Sequence, residues 1–106
     1  MKKFRIEEFT KGWIIGNFDP AIYKTNEIEI GMKNFLADET EPSHFQNIAT
    51  EITMVSSGSI EINGSVFIEG DVILIEPGEI SSFKSISASK LLCIKYPSIP
   101  SDKVVT

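Results

Sequence analysis

The 106-residue sequence predicts an all-β fold, a small sandwich or barrel. Two observations carry that expectation. Short segments alternate apolar and polar residues with a period of two, and turn residues separate them roughly every 8 to 12 positions. One of these segments also contains a complete hairpin signature. No internal repeat, low-complexity tract or linker divides the chain, so residues 1–106 are expected to form a single domain.

Taken in order, the first 25 residues are the least clear. "FRIEEFTKGWIIGNF" fits either a short helical turn or an edge strand, and in both cases a segment, 1–25, packed on the barrel. "NEIEIGMKNF" sets Ile28, Ile30 and Met32 against Glu27 and Glu29, with Gly31 as an expected bulge. "TEITMV" is strand-like and apolar on both faces at its end. In "SIEINGSVFIEG", Ile60 and Ile62 alternate with Glu61. Asn63 and Gly64 then supply the two positive-φ positions of a type I′ turn, and Val66 and Ile68 return. "GDVILIEPGE" reads as a buried strand opened by Gly70-Asp71 and closed by Pro77-Gly78. "KLLCIKY" is the last strand, ended by Pro97. The barrel thus spans about 27–96, and the tail 97–106 lies outside it.

Composition excludes several function classes. Apolar residues make up 42% and charged residues 24%, values ordinary for a globular domain. A net charge of -5 argues against nucleic acid, which demands a basic face. No segment approaches the roughly 20 apolar residues of a membrane span. No apolar stretch follows Lys2-Lys3, so no secretory signal is expected. The single cysteine, Cys93, excludes an internal disulfide and fits a reducing compartment, so a cytoplasmic location is expected. Apolar neighbours Leu91, Leu92 and Ile94 make Cys93 a small buried hydrophobe rather than a nucleophile.

The chemistry concentrates in "SHFQNIATEITMVSSG", which holds the only histidine, His44. His44 and Gln46 are two residues apart and so point to one side of a strand. Glu51 follows after a short connection, and Gly58 ends the next strand. Downstream, Gly70-Asp71, an apolar run and Pro77-Gly78 form a second block. No Gly-rich phosphate loop, Cys-x-x-Cys pair or nucleophile elbow occurs.

This order resembles the cupin family. Its first motif, His-x-His, four residues, Glu, six residues, Gly, is met by His44, Glu51 and Gly58, with Gln46 at the second histidine. Its second, Gly-Asp, an apolar strand, Pro-Gly, two residues, His, is met by Gly70, Asp71, Pro77 and Gly78, with Ser81 at the histidine. The resemblance covers roughly residues 30 to 96. Gly12-Trp13, Gly16-Asn17-Phe18, Pro20, Lys95-Tyr96-Pro97 and Asp102-Lys103 also match a group of short single-domain cupins of unsettled activity.

The resemblance implies a small jelly-roll β-barrel with a ligand pocket in its mouth. It implies a degenerate metal site, because only His44 and Glu51 remain of three imidazoles and a carboxylate. No tightly bound cofactor is expected. His44, Gln46 and Glu51 are the ligands for a weakly held divalent metal, if one binds. The expected ligand is a small polar molecule, sugar-related compounds included, held by His44, Gln46, Glu51, Ser81 and Lys95. The alternative is a metal-independent or weakly metal-dependent isomerase or epimerase using His44 and Glu51. Whether Leu91, Cys93 and Lys95 face inward is open at this level. If Lys95 does, pairing with Glu51 is expected. Glu39 and Glu41 read as a wet loop, and Trp13, Phe18, Phe4 and Phe9 as cover for an open end or an interface. The apolar faces of "IEI", "ITMV" and "VILI" exceed what a lone sandwich hides, so a homodimer is expected.

Overall fold

The computed structural model describes all 106 residues. Eleven strands follow two 3-10 turns, Ile6–Glu8 and Thr10–Gly12. They are β1 (Trp13–Gly16), β2 (Tyr23–Lys24), β3 (Glu29–Phe35), β4 (Thr40–Gln46), β5 (Thr50–Ser57) and β6 (Ser59–Ile62). After these come β7 (Ser65–Ile68), β8 (Val72–Ile75), β9 (Ser81–Ser85), β10 (Ser89–Tyr96) and β11 (Lys103–Val105). They form a six-stranded sheet in the order β2-β1-β3-β10-β5-β8 and a five-stranded sheet in the order β11-β4-β9-β6-β7. The fold is all-β, and the N-terminal segment contains both of its candidate elements, short helical turns and then a strand of the larger sheet.

The hairpin forms where Asn63-Gly64 places it. Ile62 pairs with Ser65, and the turn residues have φ of 50° and 82°. The inner faces meet in a core of Val55, Ile60, Phe83, Leu91 and Cys93, with Phe35, Ile62, Phe67 and Ile73 packed around it.

Three expectations change. The bulge lies on β1 rather than at Gly31, since Trp13 faces Gly31 and Ile15 faces Ile30, leaving an extra residue on β1. Gly31 instead makes room for an aromatic ring. A Cβ there would come within 2.6 Å of Trp13 Cε3, so its bare backbone is the seat of the indole. The "VILI" strand is not buried on both faces. β8 pairs only with β5, and Val72 and Leu74 are 59% and 55% exposed while Ile75 faces the core. The tail also rejoins the fold, as β11 runs antiparallel to β4 with Lys103 opposite Gln46 and Val105 opposite His44. Pro97 and Pro100 lack the N–H that a strand needs, and three residues are too short a run to show periodicity.

Candidate functional site

A cavity of about 60 Å³ lies between the sheets, with Leu91, Phe83 and Cys93 from the core as part of its wall. Period-two geometry on the central strands decides what else faces it. Glu51 and Thr53 project inward from β5, and Lys95 and Cys93 from β10. The register places Lys95 between Glu29 on β3 and Glu51 on β5. From the other sheet, β4 brings His44 opposite Ser81 of β9. Four of the five expected ligand-binding residues, His44, Glu51, Ser81 and Lys95, therefore line one cavity.

Gln46 does not line it. Although on the same side of β4 as His44, it lines an adjacent cavity of about 180 Å³ beside the C-terminal segment. Its Nε2 is buried and has no hydrogen-bond partner. Lys95 and Lys103 border both cavities.

His44 is held by its ring. Nδ1 lies 2.9 Å from the carbonyl oxygen of Pro42. A carbonyl only accepts, so Nδ1 carries the proton, and in the neutral ring Nε2 presents a free lone pair. Neither the Glu51 carboxylate nor the Lys103 ammonium lies within 4.0 Å of an opposite charge.

The expected Lys95–Glu51 pair is not made. Lys95 Nζ instead lies 3.9 Å from Glu29 Oε2 and 4.9 Å from the Trp13 ring centroid. Glu29 is the better-anchored partner, since its Oε1 also accepts a hydrogen bond from Ser98 Oγ at 2.8 Å. The indole face adds cation–π attraction on the other side.

Four lining residues escaped sequence reasoning. Trp13, expected at an end cover or interface, forms part of the cavity wall. Glu41, expected in a wet loop, sits half-buried on β4 and pairs with Lys33 at 3.3 Å. Lys33 and Lys103 complete a set of three ammoniums with Lys95. The signal for Lys33 was its parity: it follows Glu29 and Gly31 at spacings of two, on the polar side of β3. That side faces inward here. Lys103 is set by β11 pairing, which no local pattern marks. Its pKa is lowered, first by burial and then by Lys33, Lys95 and Lys11, against the opposing charge of Glu41.

Cys93 is buried and free. Burial, reinforced by the Glu51 charge, pushes its thiol from 9.0 up to about 11. A raised native pKa favours the native state fully below the unfolded value, and that contribution is lost as pH rises from about 9 to about 11. Its loss is worth about 2 to 3 kcal/mol. Urea denaturation at pH 8 and pH 11 checks this. The wild type is expected to lose that much more than Cys93→Ala, and equal losses would refute it.

Two packed sheets with a polar cavity between them make a β-sandwich. No protein-family model and no curated protein sequence matches the chain. Solved structures do. A double-stranded β-helix protein from Klebsiella pneumoniae is similar over 100% of this chain and 97% of its own, at TM-score 0.73 and 14% identity. An RmlC-like cupin from Shewanella frigidimarina covers 68% of each chain, at TM-score 0.63 and 17% identity. Bacterial pirin YhhW from Escherichia coli, in complex with nickel(II), covers 83% of this chain at TM-score 0.70 and 19% identity, and the chain spans only 39% of its length. The chain has the cupin fold. No helix is long and apolar enough to cross a membrane.

Proposed function

We propose that the protein binds a compact polar ligand in the central cavity without a resident metal. The observation that carries this reading is the set of unengaged polar groups that face the cavity from both sheets. His44 Nε2, the Glu51 carboxylate and the Ser81 hydroxyl make no hydrogen bond within the chain. Polar groups that face a cavity and are not used inside the chain can bind what enters it.

The donor set does not fit a tightly held metal. Of the two carboxylates on the cavity Glu41 is paired with Lys33, Gln46 lies in the neighbouring cavity, and no three His, Cys, Asp or Glu side chains are grouped so as to hold a metal ion. Three ammoniums on the same cavity oppose entry of a dication. Size narrows the ligand as well. About 60 Å³ is well under the roughly 150 Å³ of a benzene-sized cavity. A sugar ring would enter only in part, whereas a molecule of a few heavy atoms fits.

His44 is the only histidine, so its ring Cε1–H signal is a unique reporter for this cavity. Titration with glycolate, and with glycolaldehyde as the neutral control, is expected to move that signal along a saturating curve for at least glycolate. A signal unmoved by both counts against the reading.

A second reading is acid–base catalysis, favoured by the Nε2 lone pair that the Pro42 contact leaves free near Glu51. His44 would take or give the proton and Glu51 would orient or supply a second acid. A His44→Ala variant with full turnover on an identified substrate would sink it.

We also propose a homodimer through the outer face of the larger sheet. Across β3, β10, β5 and β8 the register aligns Ile30, Ile94, Ile52 and Leu74 in one row, and Met32, Leu92, Met54 and Val72 in the next. Neither row contains a charge. In a two-fold interface residue i meets residue j and j meets i, so any charge there would enter the interface twice. Two adjacent rows free of charge in a chain of net charge -5 suit a second copy of the chain.

A further inference from the structure

The cavity beside the central one is a second polar pocket. Its volume is about 180 Å³, and its polar groups can be accounted for one at a time. Glu29 is engaged, with Oε1 accepting from Ser98 Oγ and Oε2 facing Lys95 Nζ at 3.9 Å. Asp102 is engaged through both oxygens, which accept from the backbone N–H groups of Ile48 and Ala49. The Ser101 hydroxyl and Gln46 Oε1 also make no bond within the chain but reach solvent. The buried group without a partner is therefore Gln46 Nε2, on a side chain only 4% exposed, and the cation without an ion pair is Lys103. β11 pairing sets these two residues opposite each other, Lys103 in register with Gln46.

The buried unpartnered group and the unpaired cation are both donors. A buried N–H without an acceptor is costly, so the site is complete only when an acceptor enters. A metal ion offers no acceptor and meets two lysines. A neutral carbonyl satisfies the amide and leaves the ammonium unmatched. A carboxylate answers both, with one oxygen for the amide N–H and the other for the ammonium. We infer that the pocket formed by Gln46, Lys103 and the Pro97–Asp102 segment is a binding site for the carboxylate group of a small organic acid. It shares Lys95 and Lys103 with the central cavity and does not depend on that cavity being used.

The test uses the full ¹⁵N-labelled chain and sodium acetate as probe, against sodium chloride at matched ionic strength. The Gln46 side-chain amide pair is identified by its loss in Gln46→Leu. With acetate it is expected to move along a saturating curve, and with chloride to stay still. Lys103→Met is expected to weaken acetate binding about tenfold, the loss of one charge-assisted contact. A Gln46 amide that ignores acetate, that follows chloride equally, or that binds acetate unchanged in Lys103→Met overturns the inference. Should Lys103→Met fail to fold, the Lys103 ε-methylene signals of the wild type decide the same question. A shift on the Gln46 curve supports the shared site, and a different midpoint refutes it. The His44 signal reads the central cavity separately. Gln46 moving while His44 stays still leaves this site standing when the central reading fails, and the reverse pattern removes this site alone.

Discussion

Replacing Asp102 by alanine is expected to lower the stability of the whole chain by about 3 kcal/mol, the cost of orphaning buried donors that face a charged acceptor. Asp102 is 6% exposed. Its carboxylate accepts from Ile48 N at 2.9 and 3.2 Å and from Ala49 N at 2.9 Å. Ala49 is only 1% exposed, so its N–H has no water to turn to when the carboxylate is gone. Asp102→Asn keeps one oxygen acceptor and is expected to recover roughly half of the loss. Urea denaturation of the two variants measures this, and wild-type stability in Asp102→Ala would refute it. The contact matters beyond stability. The residues it holds join β4 to β5, the strands that carry His44 and Glu51, and Asp102 immediately precedes Lys103. Asp102→Ala is therefore also expected to weaken the His44 and Gln46 responses together.

Ile94→Lys is expected to convert a dimer into a monomer at micromolar concentration. Ile94 lies inside the row formed with Ile30, Ile52 and Leu74, on a strand flanked by β3 and β5. Two-fold symmetry places the new ammonium in the interface twice. Desolvating two unpaired charges costs at least several kcal/mol, which is on the order of a thousandfold in dissociation constant. Stability of the monomer is expected to change little, because the side chain points away from the core. Sedimentation velocity decides the matter. The wild type is expected at about twice the 11.8 kDa chain mass, and the variant at the chain mass. A monomeric wild type removes the interface altogether.

Those two residues also show how far the sequence reached. Ile94 and its row were visible as alternation, and the inference that so much apolar surface implies a partner came from the same pattern. Which face of β3 is inner was not visible. The usual assignment of apolar residues to the interior puts Ile30 and Met32 inside, whereas here Lys33 faces the cavity, Gly31 seats the Trp13 indole on the same side, and Ile30 and Met32 face out. Alternation measures that two faces differ, not which of them meets the other sheet. Glu41 was lost for a related reason. An acid before a proline in a loop-like run looks wet until β9 pairs with it and Lys33 neutralises it.

Asp102 and Lys103 mark the other limit. Local pattern sufficed for the central strand segments, the Asn63-Gly64 turn and the spacing of His44, Glu51 and Ser81, and through these for the cupin fold. Each of those rests on local dihedral preference or on residues close in the chain, where pattern and geometry coincide. Tertiary structure alone decided that Gln46 parts from His44 into a second cavity, that Lys95 pairs with Glu29, and that the tail returns to set Lys103 beside them. These are contacts between residues tens of positions apart, fixed by sheet order and register, and no local preference encodes which distant strand becomes a neighbour.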